Sequence, residues 1–339
     1  MSLIMKNISF ITGMILLFLI LWGMGYLAGG PTGYSGFGEP TDISPNDEEI
    51  VFTYEHEGES AIYTAPVSGG NAELVVEATE GNTLLHPTFS PDGEKIAYVE
   101  QWEEGEEDDA QPLGKLVLID RTNGEKKEMT DEEGLVTEAT FSPDGQSLFF
   151  LQAGVHTNYS PIASERAHDF DMYRVHLDTE EIEQITNKEA YDMSDVNVTP
   201  NGKALLYRYY DESDQLVFQS LEGGSETTVT PIGDFAADPP LISSPALSPD
   251  GEYIAFSDVA RTDEDGTFIY EGFRMDVETK QAAQVTSFGE HVTSPVFFHH
   301  QDKLVVTVDK GFATSEPDYS YWVIRADGTA RERIEINFP

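Results

Sequence analysis

Five residues are spaced so that they could share one site: His86, Glu138, Asp195, Ser244 and Ser294. Each lies four positions before a recurring anchor, at Ser90, Ser142, Thr199, Ser248 and Phe298 respectively. If the anchor closes a short strand, these five begin the strands and ring one mouth of a central channel. A ring holding Glu138, Asp195 and His86 could bind a cation or a basic peptide end. Carboxylates crowded there repel one another and hold raised pKa values. The plainer alternative is a hydrated channel without a ligand.

The other candidates are weaker. His299-His300 could hold a metal with a carboxylate nearby, yet the pair stands where a turn is expected, so the metal ligands stay unassigned. Histidines 56, 86, 156, 168, 176 and 291 fit no H-E-x-x-H spacing. Glu103 to Asp109 holds six acids in seven residues, but without the bend of a calcium loop. It reads as a solvated loop, with weak, nonspecific binding of Ca²⁺ or another cation next. Asp263-Glu264-Asp265-Gly266 is a smaller case. No cofactor loop and no G-x-S-x-G elbow occur, and there is no cysteine. Ser90, Ser142 and Ser248 recur, which argues for a turn in each repeat and against a nucleophile. No catalytic residue is assigned.

The elements that must position these residues come from one phrase. It reads Ser90-Pro91-Asp92-Gly93, Ser142-Pro143-Asp144-Gly145 and Ser248-Pro249-Asp250-Gly251. Worn copies are Thr199-Pro200-Asn201-Gly202 and Ser44-Pro45-Asn46-Asp47, and Phe298-His299-His300-Gln301 keeps only the frame. The steps between copies are 46, 52, 57, 49 and 50 residues, the length of a propeller blade. Pro presets φ, Asp bonds its own backbone and Gly turns left-handed cheaply. An apolar residue precedes each turn and period-2 alternation follows, as in Ile96 and Tyr98. The second repeat predicts strands near 84–89, 95–99, 116–119 and 125–129. The fold expected is all-β: a six-bladed propeller of four-stranded antiparallel blades over 39–339. Inserts at 103–109, 153–169, 211–214, 263–266 and 310–319 are expected on one face. Closure is expected without strand exchange, or with 333–338 extending the last blade.

Charge narrows the partners. The chain carries 19 basic and 62 acidic residues, net -43. Nucleic acid and anionic lipid headgroups would be repelled. Before the body, Ile8 to Gly30 lacks any ionisable side chain and as a helix is long enough to cross a bilayer. Residues 1–30 are therefore expected to be an N-terminal transmembrane anchor or uncleaved signal, and 31–38 a short linker. A cleaved signal, releasing a secreted body, is the alternative. Lys6 predicts the N-terminus inside and the body on the extracytoplasmic side of the cytoplasmic membrane.

The Ser-Pro-Asp-Gly phrase at this spacing resembles the TolB-like, PD40-type (WD40-like) β-propeller repeat over roughly 39–339. Tryptophan, frequent before the Ser in that family, is replaced by Ile43, Phe89, Phe141, Val198, Leu247 and Phe297. The resemblance implies a propeller of the kind that binds partners in TolB or gates prolyl-oligopeptidase-like peptidases. This chain shows neither TolB's additional domain nor a hydrolase domain, so a free-standing, membrane-anchored member is expected. Fold alone does not decide function. The leading expectation is a non-enzymatic module binding a protein or peptide, a basic one matching the charge, with the bilayer engaged through 8–30. The alternatives are a hydrolase or lyase using acidic residues of the channel or loop face, and a structural accessory of a membrane complex.

Overall fold

The computed structural model describes residues 34–105, 110–158, 165–312, 314 and 316–338. They form six consecutive antiparallel sheets of the propeller type, with the sheets of blades 2 and 3 joined by a bridge between Leu135 and Gly114. Blade 2 runs from an inner strand, Thr83–Phe89, through Lys95–Glu104 and Gln111–Asp120 to a short outer strand, Lys126–Glu128. The other inner strands are Asp42–Ile43, Leu135–Phe141, Met193–Val198, Ser243–Leu247 and His291–Phe297. In blade 1 a further pair, Gly36–Phe37, lies on the same side of Glu49–His56 as Asp42–Ile43.

The sequence phrase makes the turn between the first and second strands. Ser90 Oγ donates to Asp92 Oδ1 (2.6 Å) and accepts the Lys95 N–H (2.9 Å), while Asp92 Oδ1 also accepts the Glu94 N–H (3.0 Å). The same bonds recur at Ser142 and Ser248, and at Thr199 with Asn201 as acceptor. The Ser90 hydroxyl and the Glu94 N–H hold the Asp92 carboxyl below the usual carboxylate range.

Proline and glycine of the phrase also join one blade to the next. A Cβ at Gly93 (φ 72°) would sit 3.5 Å from the Cδ of Pro45 in the preceding blade. Gly145 meets Pro91 and Gly251 meets Pro200 in the same way. Beyond these turns, alternating strand residues bury one face against each neighbour. Six apolar clusters result, one at each junction between successive blades and one between the last and the first. At the junction of blades 3 and 4, for example, Phe149 and Leu151 pack with Leu205 and Tyr207.

At the closing junction the two most worn copies meet. Asp47 stands where blades 2 to 5 have glycine and keeps the left-handed φ, 63°. Its carboxylate accepts the N–H groups of His299 (2.7 Å) and His300 (2.9 Å) from blade 6. Blade 6 has His300 where the other turns have an accepting Asp or Asn, so its neighbour supplies the acceptor. No blade borrows a strand within its sheet. The C-terminal pair Ile336–Asn337 does not extend the last blade. It runs parallel to Gly70–Asn71 at the edge of blade 1. Gly69 (φ 84°) permits this approach, because a Cβ there would meet Glu335 O at 2.9 Å. Phe338 stacks on Tyr54 (4.0 Å between centroids), and Tyr321 Oη donates to Gly38 O (2.6 Å) across the seam.

Two expectations are corrected. The inserts at 153–169 and 211–214 are largely strand: Ser147–Asn158 pairs with Glu165–His176, and Ala204–Asp211 turns tightly into Ser213–Ser220. Pairing simply continues past the blade's core there. Glu106 to Asp109 of the acidic run lie outside the described residues. The transmembrane helix is the second correction. Among the described residues no helix is long and apolar enough to cross a membrane, and the regular elements there are strands of twelve residues or fewer. Residues 8–30, where the anchor was expected, lie outside the described residues.

Replacing Asp47 with glycine restores the repeat's own residue, yet is expected to destabilise the protein. Two N–H groups at the seam lose their acceptor, which costs about 2 kcal/mol. Urea denaturation measures this. Unchanged or increased stability would show that the seam does not depend on the carboxylate.

Candidate functional site

All five residues counted back from the anchors line one cavity of about 510 Å³. It follows the inner strands of all six blades, from Thr41, His86, Glu138, Asp195, Ser244 and Ser294 at one end to the turn prolines and His299 at the other.

A bulge places them there. The inner strands slip register between Leu85 and Thr88, Val136 and Glu138, Ser194 and Asn197, Ser243 and Ala246, and Thr293 and Val296. His86, Asp195, Ser244 and Ser294 all take positive φ, between 45° and 62°. For residues with a Cβ this costs on the order of 1–2 kcal/mol each. Strain repeated at one level of a ring, and facing one cavity, points to use of that level. Prolines 87, 245 and 295 follow three of these residues, and lacking an N–H they lose nothing at the bulge.

Electrostatics divide the ring. Glu138 is buried, 9% exposed, and its Oε1 accepts the Val196 N–H of the next blade (3.1 Å). Burial, reinforced by the charge of Asp195, pushes the Glu138 carboxyl up to about 8. Burial also raises Asp195, but that carboxylate accepts from Ser194 Oγ (2.5 Å) and lies 3.6 Å from Arg208 Nε. Both carboxyls are thus raised, and Asp195 is the one with a cation and a hydroxyl beside it to favour its charged form. Arg208 is shared, bonding Asp192 (2.8 Å) and Asp214 (2.7 Å) as well. Burial lowers His86 to about 4, so its imidazole is neutral.

The opposite arc carries hydroxyls. Ser244 Oγ, Thr293 Oγ1, Ser294 Oγ and Glu39 Oε2 follow one another at 3.1, 3.4 and 3.0 Å, and Tyr319 Oη reaches Glu39 Oε1 at 3.3 Å. Burial raises the Glu39 carboxyl. Thr41 is 3% exposed, and its Oγ1 has no partner. Asp42, by contrast, is committed to holding blade 2, accepting from Thr88 Oγ1 and the Phe89 N–H (both 2.8 Å).

Arg208, Glu39 and Thr41 were missed in the sequence. Arg208 left one usable signal, a lone cation within Leu205-Leu206-Tyr207-Arg208-Tyr209-Tyr210 in an acidic chain. His299 and His300 do not converge on a metal: their rings are 6.4 Å apart, and His299 Nε2 is 3.2 Å from Ile43 O. Among the described residues no three or more His, Asp or Glu side chains are grouped to hold a metal ion.

No protein-family model matches the chain. An uncharacterized protein of Agrobacterium fabrum is 25% identical over 208 residues, covering 59% of this chain and 62% of that one. A tricorn protease homolog of Streptomyces coelicolor is 28% identical over 112 residues, which are 32% of this chain and 10% of that one. The matches thus span less than two thirds of either relative. Among solved structures, TolB from Acinetobacter baumannii has a TM-score of 0.60 at 23% identity, over 85% of this chain and 65% of that one. Oligogalacturonate lyase from Vibrio parahaemolyticus has 0.54 at 15% identity, over 86% and 79%. A puromycin hydrolase has 0.56 at 14%, over 89% and 45%.

These likenesses show the fold, and they correct the functional expectation. The leaning toward a non-enzymatic, membrane-tethered module rested on the single anchor, the uniform repeats and the lack of a catalytic constellation. The fold is shared with a lyase and with hydrolases, so uniform repeats do not weigh against catalysis. A bilayer partner, a single-pass topology and an extracytoplasmic location likewise find no support among the described residues, which hold no membrane-crossing helix.

The charge state of Glu138 should be visible in stability. Its folded pKa lies above its unfolded value, so the native state binds the extra proton. That stabilisation is complete below about pH 4.5 and is lost as pH rises through about 8. Glu138→Gln is expected to flatten the fall in stability between these limits, measured as urea midpoints across pH. An unchanged slope would contradict the assignment.

Proposed function

We propose that the protein is a hydrolase whose acid–base chemistry is carried by Glu138 and Asp195 at the channel mouth. The observation that carries this reading is the carboxyl pair itself. Two acids from adjacent blades line one cavity, and Asp195 is ion-paired to Arg208, an asymmetry of the kind that gives paired carboxyls separate acid and base roles.

Glu138, protonated at neutral pH, gives its proton to the leaving group as the scissile bond breaks. Asp195, whose charged form Arg208 and Ser194 favour, takes a proton from the attacking water. The water oxygen bonds to the electrophilic carbon, and return of the proton from Asp195 to Glu138 resets the pair. Neutral His86 is available to orient the substrate through either ring nitrogen.

The named neighbours include both a lyase and hydrolases. Elimination from a sugar acid needs a cation to hold the substrate carboxylate. No Lys or Arg lines the cavity, and Arg208 behind it is shared by three aspartates. Hydrolysis is therefore the better reading of the acidic channel.

The test is turnover of glycoside, ester and amide substrates by the full-length protein. Glu138→Gln is expected to lower kcat at least about 100-fold, the range of a lost general acid, with little change in KM and loss of the alkaline limb near pH 8. Full activity of that variant with an unaltered pH profile, or turnover of no substrate class, would overturn the proposal.

A further inference from the structure

The channel's free bonding capacity identifies the kind of molecule it would hold. Its charges are already engaged. Asp42 accepts from blade 2, and Asp195 faces Arg208. An anionic ligand would find no Lys or Arg in the lining. A metal ion would find no suitable group of ligands among the described residues. What remains is neutral. Ser244 and Ser294 line the cavity, and Thr293 links their hydroxyls in a row across blades 5 and 6 that ends on Glu39 of blade 1. Thr41 lines the cavity too, but its hydroxyl is buried and presents no surface to a ligand. A hydroxyl both donates and accepts, so Ser244 and Ser294 can each take a further bond from a ligand.

We infer that the channel binds a neutral oligosaccharide, its hydroxyls bridging Ser244 and Ser294 on one side and the Glu138–Asp195 pair on the other. The cavity size lies within the range of small-ligand sites. Prolines 87, 245 and 295 add C–H surface beside the polar groups, as an amphipathic sugar ring requires. This inference rests on the hydrolase reading for its reaction and narrows it to a glycosidic bond. Glu138 gives its proton to the glycosidic oxygen as the C–O bond breaks, water oxygen bonds to the anomeric carbon, and the water proton passes to Asp195. No oxidant, reductant or further reactant is needed.

The experiment is titration calorimetry of full-length protein and its Glu138→Gln variant with cello-, malto-, laminari-, xylo- and N-acetylchito-pentaose. Oligogalacturonate and chitosan oligomers serve as anionic and cationic controls. Saturable heat is expected with a neutral sugar, about tenfold weaker binding in Ser244→Ala and in Ser294→Ala, and unchanged circular dichroism. Two independent variants guard against loss through misfolding. No saturable heat with any neutral sugar, or tighter binding of a charged control, overturns the inference. Release of reducing ends separates the two proposals. Neutral sugars bound but never cleaved would support this inference and remove the hydrolase reading. Cleavage of charged substrates alone, lost in Glu138→Gln, would do the reverse.

Discussion

The ring depends on each blade's turn fitting against the turn before it. Proline of one copy lies beside the glycine of the next, within van der Waals reach of where a Cβ would stand, and glycine takes the left-handed turn there cheaply. The constraint is circular, so a defect in one copy must be answered by its neighbour. Blade 6 has His-His in place of Pro-Asp, and blade 1 has Asp47 in place of glycine. The two departures meet and repair each other through the Asp47 carboxylate. The C-terminal latch and the aromatic contacts among Phe37, Tyr54, Tyr321 and Phe338 then cover the same junction.

Closing the ring creates the site. An inner strand alone has nothing opposite its bulge. Six of them around an axis bring groups from separate repeats to one level. Glu138 and Asp195 are 57 positions apart, yet the N–H of Val196 bonds Glu138 directly. The same closure removes water from around them, and that burial sets the proton on Glu138. The backbone strain at His86, Asp195, Ser244 and Ser294 is held by the ladders on either side.

The turn chemistry was legible because it repeats: three intact copies expose the frame in which the worn ones can be read. Counting back four reached residues that line the cavity, since the distance from turn to bulge is nearly constant from blade to blade. Arg208, Glu39 and Thr41 were not legible. Each occurs once, and nothing local marks an arginine on a second strand as the partner of an aspartate on the first. The seam was hidden because Asp47 and His299 look like decay when each copy is read alone. The expectation of a non-enzyme followed from the lack of a catalytic constellation in the sequence, whereas a carboxyl pair assembled across blades leaves no contiguous signature. The strongly apolar stretch at 8–30 drew the reading toward a membrane, and the described residues do not carry that reading further.

The proposed acid–base chemistry requires a protonated Glu138 beside an ionised Asp195 across a blade junction. Carbon-13 NMR of glutamate-labelled protein, with Glu138 assigned by its loss in Glu138→Gln, measures this directly. A carboxyl titrating near 8 is the expected result. A midpoint in the ordinary glutamate range, near 4.5, would mean that the channel leaves Glu138 as solvated as a surface residue, and the acid–base assignment would fail.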